Sequence, residues 1–319
     1  MFNSAMHLRC SIDLGLVPSF LEPREDRTTA GTVRAFVGAT STTASAPSII
    51  IRIEPSRGWF PLNLAELWEY RELLYFLVWR DVKVRYKQTL LGVAWVAVQP
   101  VFTAVLFALL LGRVANLPSE GVPYVVFVFA ALLPWQLFAT ALSRAGTSLV
   151  GSANLLTKVY FPRLVVPLAA VLGGLVDFLV SLAVIAALLF RYRLTPSWGI
   201  VLLPVFALMA LLAALSVGIW LAALNVRYRD VQQAIPFLVQ VWMFASPVVY
   251  SASVVPAGPL RFVYALNPLT GVIQCFRWAL LGTAPPDGLM WVSFVAVAVL
   301  LLSGLIFFRR LEDTFADVV

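Results

Sequence analysis

The sequence predicts an all-α integral membrane protein with six transmembrane helices. An N-terminal amphipathic helix lies at the interface, a short cytoplasmic helix sits between spans two and three, and short re-entrant helices lie between spans five and six. Three observations carry this. Hydrophobic residues make up 61% of the 319 and charged residues 12%, against about a quarter charged in soluble domains. Mean hydropathy is +0.90. Apolar stretches of about 20 residues or more recur, each long enough to cross a bilayer as a helix, and the charges gather between them.

Residues 1–48 are rich in Ser, Thr, Ala and Arg. No apolar run there reaches the ~7–15 residues of a secretory signal core, so this stretch is expected to be a disordered cytoplasmic tail. A start codon assigned too far upstream would produce the same pattern. Residues 49–319 form the single expected membrane domain. Ile49–Glu54 has strand character, and Pro55–Gly58 reads as a turn.

Asn63 followed by Glu66 reads as a helix start. Leu64, Leu67, Trp68, Leu74, Tyr75 and Val78 then recur at three- and four-residue steps, with Glu66, Glu69 and Glu72 elsewhere on the wheel. Such a helix is expected to lie along the interface. The basic flank follows at once, with Arg80, Asp81, Lys83, Arg85 and Lys87 in close succession. From Gln88 to Gly112 no charge occurs.

The six expected spans are 89–112, 122–142, 164–190, 199–224, 231–250 and 288–308. With the amino end inside, eleven Lys or Arg fall in cytoplasmic connections. Five (Arg113, Arg191, Arg193, Arg261, Arg277) fall outside. Lys and Arg are retained on the cytoplasmic side, so both termini are expected there. A net charge of +7 fits a surface of anionic lipid better than nucleic acid. The piece from Leu269 to Leu281 is helical in pattern but too short to cross, so it should be buried in protein or line a cavity.

Several chemistries lack their residues. No Gly-x-x-x-x-Gly-Lys-Ser/Thr phosphate loop occurs, and one histidine with two cysteines makes neither a zinc site nor a disulfide framework. No catalytic and no cofactor-binding residues are expected. Acids on the outer side are limited to Glu120 and Asp287, which disfavours an embedded sugar-transferring enzyme. An ion-driven carrier would show inverted repeats and more buried charge.

The order Arg80-Asp81, Val84-Arg85-Tyr86-Lys87-Gln88, Gly92, Trp95 and Gln99-Pro100 resembles the permease subunits of ABC-type polysaccharide or polyol phosphate exporters. The likeness extends over Glu66–Asp81, Asn154–Arg163 and Asn267–Gly282. It implies an O-antigen, capsule or teichoic acid exporter of the bacterial inner membrane, with undecaprenyl-linked glycan as cargo. It also implies a homodimer with a pathway between protomers and a separate ATPase subunit that carries ATP and Mg.

On this resemblance, the loop Arg144–Arg163 holds the helix that docks into the ATPase. Its expected contacts are Ser152, Asn154, Leu155, Leu156, Lys158, Tyr160 and Phe161. The interface helix and its flank contribute Trp68, Arg71, Arg80, Asp81, Lys83, Arg85 and Lys87. Pathway candidates are Trp95, Gln99, Trp135, Asp177, Trp242 and Phe244. Asp177 falls near the middle of span three, where a charge costs about 2.5–3.5 kcal/mol. Either it lines the conduit, or it bonds a polar neighbour such as Ser181, Gln136 or Gln240. No second ionisable group is expected near it in another span.

Overall fold

Alternation of long apolar stretches with short polar ones gives helices joined by short connections throughout the described residues. The computed structural model describes residues 64–87, 92–114, 118–256 and 258–312. The expected tail, the strand at Ile49–Glu54, the turn at Pro55–Gly58 and the helix cap at Asn63 lie outside these residues.

Helix α1 (Leu64–Glu69) and α2 (Arg71–Lys87) meet at Tyr70. The basic flank is therefore the last part of a helix rather than a linker. Next come α3 (Gly92–Phe107), running on as a π-helical turn over Ala108–Val114, and α4 (Tyr124–Gly151). A single turn, α5 (Ala153–Leu156), precedes α6 (Val165–Leu172) and α7 (Leu175–Tyr192), which are separated by Gly173-Gly174. After a 3-10 turn at Trp198–Leu202 come α8 (Leu203–Arg227), α9 (Val231–Ala245), α10 (Pro259–Ala265), α11 (Pro268–Leu281) and α12 (Met290–Glu312).

Among the described residues, five segments are long and apolar enough to cross a membrane: Ala94–Val114, Tyr124–Gly151, Val165–Tyr192, Trp198–Arg227 and Met290–Glu312. Helix α9 is apolar but has only 15 residues, about 22 Å at 1.5 Å per residue. That is short of the ~30 Å hydrocarbon core. The expected span over 231–250 thus ends as a helix at Ala245. Ser246-Pro247 follows, and Pro247 has no N–H to continue the ladder.

Local chemistry sets the boundaries of the outer pieces. Asn267 caps α11, its side chain accepting from the Leu269 N–H at 3.1 Å, with Pro268 at the first helical position. Gly282 closes the helix at φ +66°, a conformation that suits glycine.

Helix α4 is the centre of the packing, and every residue from Val126 to Trp135 is buried. It lies against α8 through small residues. A Cβ on Gly218 would sit 2.6 Å from the Ala145 Cβ, and one on Gly146 3.2 Å from the Leu221 Cβ of α8 and 2.7 Å from the Ile235 Cδ1 of α9. Such close approach suits helices in lipid, where packing rather than hydrophobic burial drives association. On the far side of α8, Gly304 of α12 abuts the Ser216 carbonyl, and Trp220 stacks on Phe307 at 4.1 Å. Helix α11 is buried at nearly every position against α4, α8 and α12. By contrast, α3 and α9 leave Trp95, Val98, Phe102, Phe237, Val241 and Phe244 exposed.

Candidate functional site

A cluster of charges lies where α2, α4 and α7 meet, called here the basic end. Its centre is Asp177, in the first turn of α7. The carboxylate receives three donors from two other helices: Arg85 and Tyr86 of α2, and Arg144 of α4 at 2.7 Å. The Ser181 hydroxyl donates to the Asp177 carbonyl at 3.0 Å, so Ser181 does not pair with the acid group.

Here the sequence expectation needs correcting. Asp177 has ionisable neighbours because α4 runs to Gly151, which makes Arg144 a helical residue rather than part of a loop. The Gly173-Gly174 break also puts Asp177 near the start of a helix that has 15 further residues to run. Burial, followed by the Asp177 hydrogen bond and charge, pushes the Tyr86 hydroxyl up to about 12. It therefore stays a neutral donor at physiological pH.

An open cleft of about 590 Å³ lies beside this cluster between α2, α4 and α6. Arg80, Asp81, Arg85, Arg144, Ser148 and Ser152 contribute polar groups to its wall. Arg80 also pairs with Asp81 at 3.0 Å. Trp68 is 71% exposed and has the Arg71 guanidinium 5.8 Å over its ring. Lys83 and Lys87 are exposed on α2.

The connection from α4 to α6 divides into two faces. Asn154, Lys158 and Tyr160 point outward, and Tyr160 is 74% exposed. Leu155 and Leu156 pack on the core, and Phe161 is buried. The Ser152 side chain, at the start of α5, makes no cap bond. The Ser152 carbonyl instead accepts from Leu155 and Leu156. The Arg163 N–H donates to Glu312 at 3.3 Å, and Glu312 also pairs with Arg309 at 2.8 Å. The connection is thus tied to the end of α12, a link that sequence reasoning missed.

The remaining candidates are scattered. Trp95 and Gln99 lie on the exposed face of α3, and Phe244 is exposed on α9. Trp242 is half-buried and donates to Asn267 at 3.0 Å. Trp135 is a core residue 5.7 Å from the Phe138 ring.

A second missed residue is Arg277. Counted from the sequence as an outer-connection charge, it is in fact 3% exposed inside α11. Its guanidinium stacks on Phe127 at 3.7 Å and donates to two backbone carbonyls. Among the described residues no cluster of His, Cys, Asp and Glu could hold a metal.

An ABC-2 type transporter family model matches residues 72–281. This covers α2 through α11 and so includes the Asp177 cluster, the α4–α6 connection and Arg277. An O-antigen export system permease protein RfbA of Myxococcus xanthus is 34% identical over 80% of this chain and 98% of its own length. One of the same name from Klebsiella pneumoniae is 28% identical over 78% and 95%. The polysialic acid transport protein KpsM of Escherichia coli is 22% identical over 73% and 91%. With its long apolar helices and a family match over most of its length, the chain is a multi-pass membrane transport subunit, not an enzyme, and it belongs to the ABC-2 type transporter family.

Proposed function

We propose that this chain is the membrane permease subunit of an ATP-driven exporter of lipid-linked polysaccharide, of the O-antigen or capsule kind. The export functions named for its relatives support the cargo class. The observation that carries the mechanism is the two-faced α4–α6 connection. Asn154, Lys158 and Tyr160 are offered to a partner, while Leu155, Leu156 and Phe161 hold the piece to the core.

A separate ATPase subunit, carrying ATP and Mg, docks on that exposed face. Its closure moves the α5 turn. The movement passes to α4 through the continuous chain at Gly151-Ser152, and from α4 to α2 and α7 through the charges around Asp177. Asp177 then acts as a coupling residue rather than a lining one. In this arrangement the basic end is cytoplasmic, both termini are inside, and α9 makes the fifth of six crossings. Helices α10 and α11 re-enter from the outer side. Two copies assemble with α3 and α9 facing each other, so that Trp95, Gln99, Trp242 and Phe244 border the conduit. Rings there offer sugar C–H faces a sliding contact.

The test is depletion of the chain followed by chemical analysis of lipid-linked glycan in the cytosolic leaflet. Accumulation there, with loss of surface glycan and rescue by the intact chain, is expected. Accumulation of a polyol phosphate polymer would change the cargo class to the teichoic kind. Unchanged surface glycan with no accumulation would overturn the proposal.

A further inference from the structure

Helix α9 stops at Ala245, about 8 Å short of a full crossing by its length. The chain then continues through an irregular stretch, yet Ser246, Val248, Val249 and Ser251 are all almost fully buried. Irregular backbone at membrane depth persists only where protein satisfies its polar groups. Here side chains from outside the stretch do so at several carbonyls. The Ala245 carbonyl accepts from Asn267 Nδ2 at 3.1 Å, and the Val249 carbonyl accepts from the Tyr124 hydroxyl at 2.5 Å. The Val248 and Tyr250 carbonyls accept from the two terminal nitrogens of Arg277, at 2.9 and 3.1 Å. One guanidinium thus bridges two carbonyls, while Phe127 covers its face.

We infer that Arg277 is the anchor of the fifth crossing: its fork holds 248–250 as the non-helical completion of α9 and so sets the position of the exposed α9 face. An arginine suits this role better than a lysine. Its planar fork presents two parallel donors, whereas an ammonium is a compact and strongly hydrated point charge. Arg277 is a positioning residue, since it lies away from the exposed face bearing Phe237, Val241 and Phe244. The inference rests on the six-crossing arrangement proposed above.

The test uses the full chain with its ATPase partner in cells. A reporter cysteine replaces the buried Val249 and, separately, the exposed Val254, with a membrane-impermeant maleimide added from outside. In an otherwise unaltered chain, Val249→Cys should label slowly and Val254→Cys fast. Adding Arg277→Gln should speed labelling at 249 by at least tenfold. It should also reduce glycan export while ATPase co-purification is retained, and Arg277→Lys should give an intermediate result. If Arg277→Gln does not accumulate in the membrane, Tyr124→Phe, which removes only the bond to Val249, should raise labelling at 249 by a smaller factor. Unchanged labelling at 249 in all three variants would overturn the inference. Labelling of Val254→Cys only from the inside would instead refute the six-crossing arrangement.

Discussion

Replacing Asp177 with Asn tests how the interface helix is held to the bundle. The carboxylate accepts from Arg85, Tyr86 and Arg144, with its side chain 17% exposed and those of the arginines 32% and 24%. Asn offers one carbonyl and no charge, so two charged partners lose their counter-ion. Hydrogen bonds to charged groups contribute about 1.5–3 kcal/mol each, and partial exposure reduces that through screening. A loss of about 3 kcal/mol in the docking of α2 on α7 is expected, which raises the undocked population roughly 100-fold. Tryptic cleavage within α2, which carries Arg80, Lys83, Arg85 and Lys87, reads that population when opening is fast relative to cleavage. In proteoliposomes the variant should be cut about 100-fold faster than the unaltered chain. Adding Arg144→Gln should recover part of the difference, because it removes one of the orphaned charges. Equal cleavage rates for Asp177→Asn and the unaltered chain would refute the reasoning.

Other outcomes follow from single contacts. Gly218→Val drives a branched side chain into Ala145, whose Cβ would already be 2.6 Å from any Cβ there. About 1–3 kcal/mol of overpacking should lower the Tm of the purified subunit by several degrees, with a larger drop than for Gly151→Val, where the glycine faces open space. The Tyr86 hydroxyl, raised to about 12, gives α2 docking a share of stability that is constant below pH 10 and is lost as pH rises from 10 through 12. Tyr86→Phe should remove that share of the alkaline dependence, measured by the same proteolysis. Exchanging Asn154, Lys158 and Tyr160 together for Ala should abolish ATPase co-purification while leaving the membrane level of the subunit unchanged. Phe161→Ala opens a cavity at a buried site and should reduce the level itself.

Much of this architecture is written in hydropathy, since a helix crossing lipid must be long and apolar, and five such helices lie near their expected positions. Charge position was the weaker guide. Arg144 reads as the start of a loop because charges normally lie outside the hydrocarbon, yet it continues α4 and meets Asp177 of α7. Arg277 counts as an outer charge for the same reason, although two carbonyls and a ring replace its water. Neither pairing is local, with Arg144 and Asp177 33 positions apart and Arg277 and Val248 29 positions apart, and no short motif marks them. Span five was overextended because Val248 and Val249 are as apolar as a helix requires. Hydropathy registers depth but not whether the backbone bonds to itself. The split of the α4–α6 connection into anchored and exposed residues was equally hidden, since Phe161 and Tyr160 are chemically alike but point in opposite directions.

Site-directed cross-linking from Asn154→Cys to the partner ATPase, with and without ATP, addresses the central claim most directly. Efficient cross-linking that changes with nucleotide, and is lost when Lys158 and Tyr160 become Ala, is the predicted result. Glycan export driven by ATP in a complex where this connection touches no ATPase would contradict it.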